Sequence, residues 1–211
     1  MATMTLVSVT TLAQMTDNGS QMVKTELKLY GETVESLIPP GWKHTEATGD
    51  LNKDGTDDLA IIAFPSEKDS SPMLAIYFGT INGAYGQWKS YSGIIPEGDG
   101  ENEFIEPSLE ITSRNTLIIN LNQWASAGSW GTTNRTWTFR YQNDDFFLIG
   151  FDDETLMRNT GEVTKVSKNY LTHKCCTSTF NEFDKTVKPH NVWTKLPKTS
   201  LQRLGDFSLD M

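Results

Sequence analysis

The sequence predicts an all-β protein: antiparallel meander sheets in a sandwich or an incomplete propeller-blade-like arrangement, with one short N-terminal helix. Three observations carry this. Short apolar runs rich in β-formers recur, among them Leu59-Ala-Ile-Ile-Ala-Phe64, Leu74-Ala-Ile-Tyr-Phe-Gly79 and Phe146-Phe-Leu-Ile-Gly-Phe151. The breaks between them are brief clusters of Gly, Ser, Asn and Asp, and such connections pair neighbouring strands antiparallel. Helical spacing occurs in a single stretch, Met22 to Leu37.

In that stretch Leu27, Tyr30, Val34 and Leu37 fall on one helical face, Pro39 and Pro40 end it, and the expected helix lies on a sheet as a lid. Leu59 to Phe64 is apolar on both faces and reads as a fully buried strand. Leu74 to Gly79 and the aromatic Gly83-Ala-Tyr-Gly-Gln-Trp88 follow as strand, turn and strand. Thr116 to Leu121, Thr133 to Tyr141 and Phe146 to Phe151 continue the meander, with Asn143-Asp144-Asp145 as a tight turn. Glu162 to Leu171 alternates in part and reads as a strand with one solvated face. The helix and the C-terminal tail are expected to protect the sheet edges.

One stretch demands a specific chemistry. In Asp50-Leu-Asn52-Lys-Asp54-Gly55-Thr56-Asp57-Asp58, side-chain oxygens recur at alternate positions and a glycine permits a sharp turn. Thr56 can offer its carbonyl, and Asp58 closes the loop. Asp50, Asn52, Asp54, Thr56 and Asp58 are thus candidate ligands for a hard divalent cation, with calcium the natural guest. An EF-hand is excluded, because the place of its closing bidentate carboxylate is taken by Ile61, inside the apolar run. The ion is therefore expected at the mouth of a β-hairpin.

A loop of this pattern, a buried strand and then the strands of 74–79 and 83–88 resemble the calcium hairpin of integrin-α-type FG-GAP repeats and of VCBS-like repeats. Ile38-Pro-Pro-Gly-Trp42, the loop, Glu106-Pro-Ser-Leu-Glu110, Ser126-Ala-Gly-Ser-Trp130, Phe139-Arg-Tyr-Gln142, Leu148-Ile-Gly150 and Asn169-Tyr-Leu-Thr172 together resemble an uncharacterised family of exported bacterial proteins carrying a single such repeat. That resemblance implies a β-rich fold and a periplasmic or secreted location in the cell envelope, and nothing about catalysis. Lys174-Cys175-Cys176 departs from the family, whose pattern there has a glycine-lysine pair and no cysteines. With one copy of the loop and length for roughly three or four blade-sized units, a complete large propeller is excluded.

Residues 1–13 read as a truncated signal peptide: a charge-free Thr/Leu/Val run ends in Thr11-Leu12-Ala13, suited to cleavage before Gln14, but lacks a basic start. Residues 14–40 form a lead with the short helix, 41–200 a β-rich domain bearing the calcium hairpin, and 201–211 a C-terminal tail. Millimolar calcium outside the cytoplasm, which keeps a low-affinity structural site filled, agrees with export.

The chain has 211 residues, 37% of them hydrophobic, enough for one well-buried core. A net charge of −9 with scattered Lys and Arg argues against nucleic acid as a partner. No stretch approaches the roughly 18 consecutive apolar residues of a membrane-spanning helix, so no transmembrane segment is expected in the mature chain. Cys175 and Cys176 are adjacent, too close for an unstrained bridge, and read as small strand residues. His44, His173 and His190 belong to no nucleophile or metal motif, and no G-x-S-x-G, P-loop or H-E-x-x-H occurs. The acidic Glu97 to Glu103 segment reads as a solvated loop.

Trp124, Trp130 and Trp137 bracket a Gly/Ser-rich turn. They are expected to fill the core and cover sheet ends, Trp130 included; alternatively they expose flat faces to a glycan or a partner chain. Trp88 and Trp193 are expected in packing contacts, and Trp42 at the entry to the calcium loop. The expected function is a non-enzymatic exported calcium-binding module that binds or scaffolds an unknown protein or glycan partner. The alternatives are a carbohydrate or peptidoglycan binder using the Trp124–Trp137 turn, and an unrecognised hydrolase.

Overall fold

Two antiparallel meanders pack face to face. The structure is a computed structural model that describes residues 26–66 and 71–209; the 1–13 segment and the first residues of the predicted helix lie outside these. The first sheet contains β1 (Tyr30–Gly31), β2 (Lys43–Gly49), β3 (Asp58–Phe64), β4 (Met73–Gly79) and β5 (Tyr85–Ser92), in the order β1-β5-β4-β3-β2. The second runs in chain order through β6 (Glu103–Ile111), β7 (Thr116–Ala125), β8 (Gly131–Gln142), β9 (Asp145–Met157), β10 (Glu162–Asn169), β11 (Lys174–Asn181) and β12 (His190–Lys195). This is an all-β sandwich, as the short runs and short turns predict.

The first sheet is the middle of three layers, which explains the unbroken apolar run of β3. Ala60, Ile62, Leu74 and Ile76 face the second sheet, where they meet Leu117, Ile119, Phe139 and Phe146. Leu59, Ile61, Ala63, Ala75 and Tyr77 point the other way, onto Leu27, Leu37 and Ile38 of the N-terminal lead and onto Trp42. A strand covered on both faces cannot alternate, since every side chain leaves water. The Tyr77 hydroxyl finds polar partners in this layer, donating to the Lys28 carbonyl at 3.1 Å and accepting from Gln87 Nε2 at 3.0 Å.

The lead departs from its helical reading. Among the described residues the helix is α1 (Val34–Leu37) alone, opened by a capping box between Thr33 and Ser36. Tyr30 and Gly31 instead pair with Gly86 and Tyr85 of β5. The chain there runs so close to α1 that a Cβ on Gly31 would stand 2.8 Å from Leu37 Cδ2. The lid is thus mostly non-helical, and fully buried Leu37 anchors it, contributing about 1.5–3 kcal/mol of apolar burial.

The β8–β9 hairpin turns at Asn143 and Asp144, both with positive φ, the backbone of a two-residue primed turn that Asn and Asp tolerate. Its register shifts between Thr138 and Phe139, and such a bulge bends the strands, curling the second sheet around the first. β10 covers β9 only from Gly150 to Leu156, leaving an open edge nearer the turn. The tail closes it: Leu148 N donates to the Gln202 carbonyl and Leu204 N to the Phe146 carbonyl, at 2.9 and 2.8 Å, while Leu204 and Leu209 enter the main core. Pro107 lies in β6, an edge strand, where a missing N–H is tolerated.

Candidate functional site

Gly49 pairs with Asp58, so residues 50–57 form the loop of the β2–β3 hairpin. Its carboxylates shape it. Asp50 accepts the amide hydrogens of Lys53, Asp54 and Gly55 at 2.6, 3.1 and 3.1 Å. Asn52 Oδ1 accepts from Asp54 N at 2.9 Å, and Asp54 accepts from Thr56 N at 2.8 Å and from Asn52 Nδ2 at 2.9 Å. Each is a short polar side chain bonding backbone a few residues on, the chemistry that makes Asn and Asp turn residues. Gly55 takes φ 86°, the left-handed turn expected of it, and Lys53 shares that region at φ 67°. The amide and side-chain donors on the Asp54 carboxylate hold its pKa below the usual carboxylate value.

The inner side of the loop is different. Leu51 is fully buried in the main core, and Asp58 is fully buried beneath the turn. Asp58 Oδ2 accepts from the amides of Leu51 and Asn52 at 2.8 and 3.1 Å, and Oδ1 from the amide of Gly79 at 2.9 Å. Burial pushes its pKa up, against the opposing pull of those three amides. Two partners escaped the sequence reading. Gly79 must be a glycine, since a Cβ there would stand 2.1 Å from the Asp57 carbonyl oxygen. Asn115, in the β6–β7 turn, donates from Nδ2 to the Asp50 carbonyl. Neither lies in the loop motif, and nothing in local sequence marks them as its neighbours.

The donor set is all oxygen, the set a hard cation prefers. Asp54 accepts two hydrogen bonds, against about four lone-pair sites on an ionised carboxylate, so it keeps coordinating capacity. Among the described residues, no group of three His, Cys, Asp or Glu side chains is gathered so as to hold a metal. The carboxylates of Asp50, Asp54 and Asp58 are instead turned onto backbone amides, and the loop closes through its own hydrogen bonds.

The three tryptophans of the Gly/Ser turn do not share a surface. Trp137 is 5% exposed and packs on Phe151 with ring centroids 5.2 Å apart. Trp124, on the opposite face of the same sheet by strand alternation, stacks on Phe104 at 4.4 Å. Trp130, at the tip of the turn, is 62% exposed, which overturns the expectation that it is core. The reason is local: the turn is held by Arg158, whose side chain donates to the carbonyls of Ala125, Ser129 and Trp130, so the indole is not needed to fix it. Trp88 packs with Phe78, Tyr141 and Phe146 as expected. Trp193 does not: it stands 67% exposed on the edge strand β12. Trp42 sits at the end of β2 away from the loop, in the layer beneath the lead, and so does not anchor the loop entry.

The remaining candidates stay apart. His44 approaches Glu46 at 3.2 Å on the exposed side of β2, His173 occupies a left-handed turn position, and His190 begins β12. Asp99 organises the acidic segment by accepting the amides of Glu101, Asn102 and Glu103, which hold its pKa low. Cys175 is buried and Cys176 half-buried, both as free thiols. No helix among the described residues is long and apolar enough to cross a membrane. No protein-family model, no curated protein and no solved structure matches this chain.

Proposed function

We propose that this chain is a non-enzymatic calcium-binding β module of the cell envelope, binding or scaffolding a protein or glycan partner. The observation that supports this best is the 50–58 loop, where Asp50, Asn52, Asp54 and Asp58 are arranged by a single turn at the junction of both sheets. Asn115 reaches the loop from the second sheet, Gly79 reaches it from β4, and a Cβ on neighbouring Gly49 would meet Ile111 of β6 at 2.7 Å. Calcium held by Asp50, Asn52, Asp54, the Thr56 carbonyl and Asp58 would offset the mutual repulsion of these carboxylates and stiffen that junction. The ion's role in this reading is structural, and the envelope supplies the concentration a modest site requires.

The test is thermal melting in excess calcium and in chelator. A higher melting temperature in calcium supports the reading, and identical melting in both sinks it. Exposed Trp130 favours a second reading, in which the 126–130 turn contacts a glycan or a partner chain. Loss of partner capture in Trp130→Ala, with melting unchanged, would support it.

A further inference from the structure

The curled second sheet extends beyond the area that the first sheet covers. Along its inner face the cross-strand row Leu121, Arg135, Asp153, Val166 changes from core to charge, and the adjacent row runs Ile119, Trp137, Phe151, Lys168. Where these rows pass the C-terminal tail there is a shallow cavity of about 300 Å³, open to solvent along one side and at the lower end of the size range for small-ligand sites. Arg135, Trp137, Phe151, Asp153, Lys168 and Ser208 line it.

The chemistry of this lining is selective. Arg135 Nε donates to Asp153 Oδ2 at 2.8 Å, so one half-buried cation is already matched by one anion. Lys168 is half-buried too, but among the described residues it makes no ion pair; its ammonium lies 5.1 Å from the centre of the Phe151 ring. Ser208 completes the wall beside the tail, with its Oγ buried. An apolar guest would leave these groups unsatisfied. A bare inorganic anion would meet the Asp153 carboxylate and gain nothing from the aromatic walls. A hydroxylated ring both donates and accepts, so it suits the adjacent guanidinium and carboxylate, and its C–H groups suit the apolar edge that half-buried Phe151 presents. A single carboxylate on that ring would pair with Lys168.

We propose that this cavity binds an acidic monosaccharide of the uronic acid class. The site is separate from the 50–58 loop and from the Trp130 turn, and does not depend on calcium. The overall negative charge does not oppose it, because beyond about 8–10 Å charges are screened at physiological salt while the Lys168 contact is direct.

The experiment is calorimetric titration of the full chain with glucuronate, glucose and acetate, with backbone and indole NMR shifts followed on the wild-type protein. Glucuronate is expected to bind once per chain, more tightly than either comparison compound, and to move the Trp137 indole and the amides of 151–153 and 168. Lys168→Met, confirmed folded by its melting curve, is expected to weaken glucuronate by about tenfold or more and leave any glucose binding as it was. Absence of glucuronate binding overturns the proposal. So does glucose or acetate binding as tightly as glucuronate, undiminished affinity in Lys168→Met, or shifts confined to the 50–58 loop or the 126–130 turn. The wild-type shift map keeps the test decisive if the variant fails to fold.

Discussion

Asn115 Nδ2 donates to the main-chain carbonyl of Asp50, 65 residues earlier in the chain. The bond ties the β6–β7 turn of one sheet to the β2–β3 loop of the other. Asn115 also sits at φ 59°, a left-handed position that Asn tolerates and Ala does not. Asn115→Ala is therefore expected to lose both the hydrogen bond and backbone compatibility, about 1–3 kcal/mol together. Asn115→Gly loses the bond alone and should cost less. Chemical denaturation of both variants checks the order; Gly costing as much as Ala would remove the backbone part of the argument.

Asp54→Ala tests the cation proposal at its most exposed carboxylate. The variant is expected to abolish whatever stabilisation calcium confers, and to melt below the parent in chelator too, because the bonds from Thr56 N and Asn52 Nδ2 are lost. Scanning calorimetry across a calcium series reads this directly, and an unchanged calcium response would remove Asp54 from the ligand set.

Asp58 carries a second expectation, in pH. Its folded pKa lies above the ordinary carboxylate value, so over that window the folded state binds more protons than the unfolded one. The stability contributed by this group is then full below the unfolded pKa and declines as pH rises through the folded value. In Asp58→Asn that decline should vanish from the pH profile of calcium-free protein. The variant should also be less stable near neutrality by about 1–3 kcal/mol, because its amide NH₂ must face backbone N–H donors in a buried place. Denaturation midpoints between acidic and neutral pH measure both; a profile parallel to the parent's would show that Asp58 does not titrate as argued.

Gly79→Ala should be among the most disruptive single changes. The added Cβ would overlap the Asp57 carbonyl oxygen and push apart the Gly79 amide and the Asp58 carboxylate. A loss of about 2 kcal/mol or more is expected, in line with overpacking of a close backbone contact. Equilibrium unfolding decides, and a neutral substitution would mean that the hairpin end shifts freely.

Trp130→Ala and Trp137→Ala separate the two tryptophans that sequence spacing groups together. Truncating exposed Trp130 should change stability within about 0.5 kcal/mol, whereas Trp137, buried against Phe151, should cost about 3–5 kcal/mol. Paired denaturation curves test both, and comparable losses would contradict the burial difference.

By itself the sequence determined what short-range pattern controls. Runs such as Leu59 to Phe64 and Phe146 to Phe151 set strands, because period and branching act residue by residue, and Asn143-Asp144 set a primed turn through their own backbone preferences. The loop's position and its glycine turn were legible for the same reason, but its side chains were read as cation ligands, and only the structure showed Asp50, Asn52 and Asp54 bonding amides within five residues of themselves. Only the tertiary structure decided what depends on which surfaces meet. The spacing of Leu27 to Leu37 suits a helix, yet pairing with β5 and the close approach of Gly31 to α1 kept most of it out of a helix. Trp124, Trp130 and Trp137 look alike in sequence, and the sheet places them on one face, at a turn tip and on the other face. Asn115, Gly79 and the Arg135–Lys168 cavity join residues from distant strands, and no local preference encodes that contact, because it exists only once two sheets have curled and closed on one core.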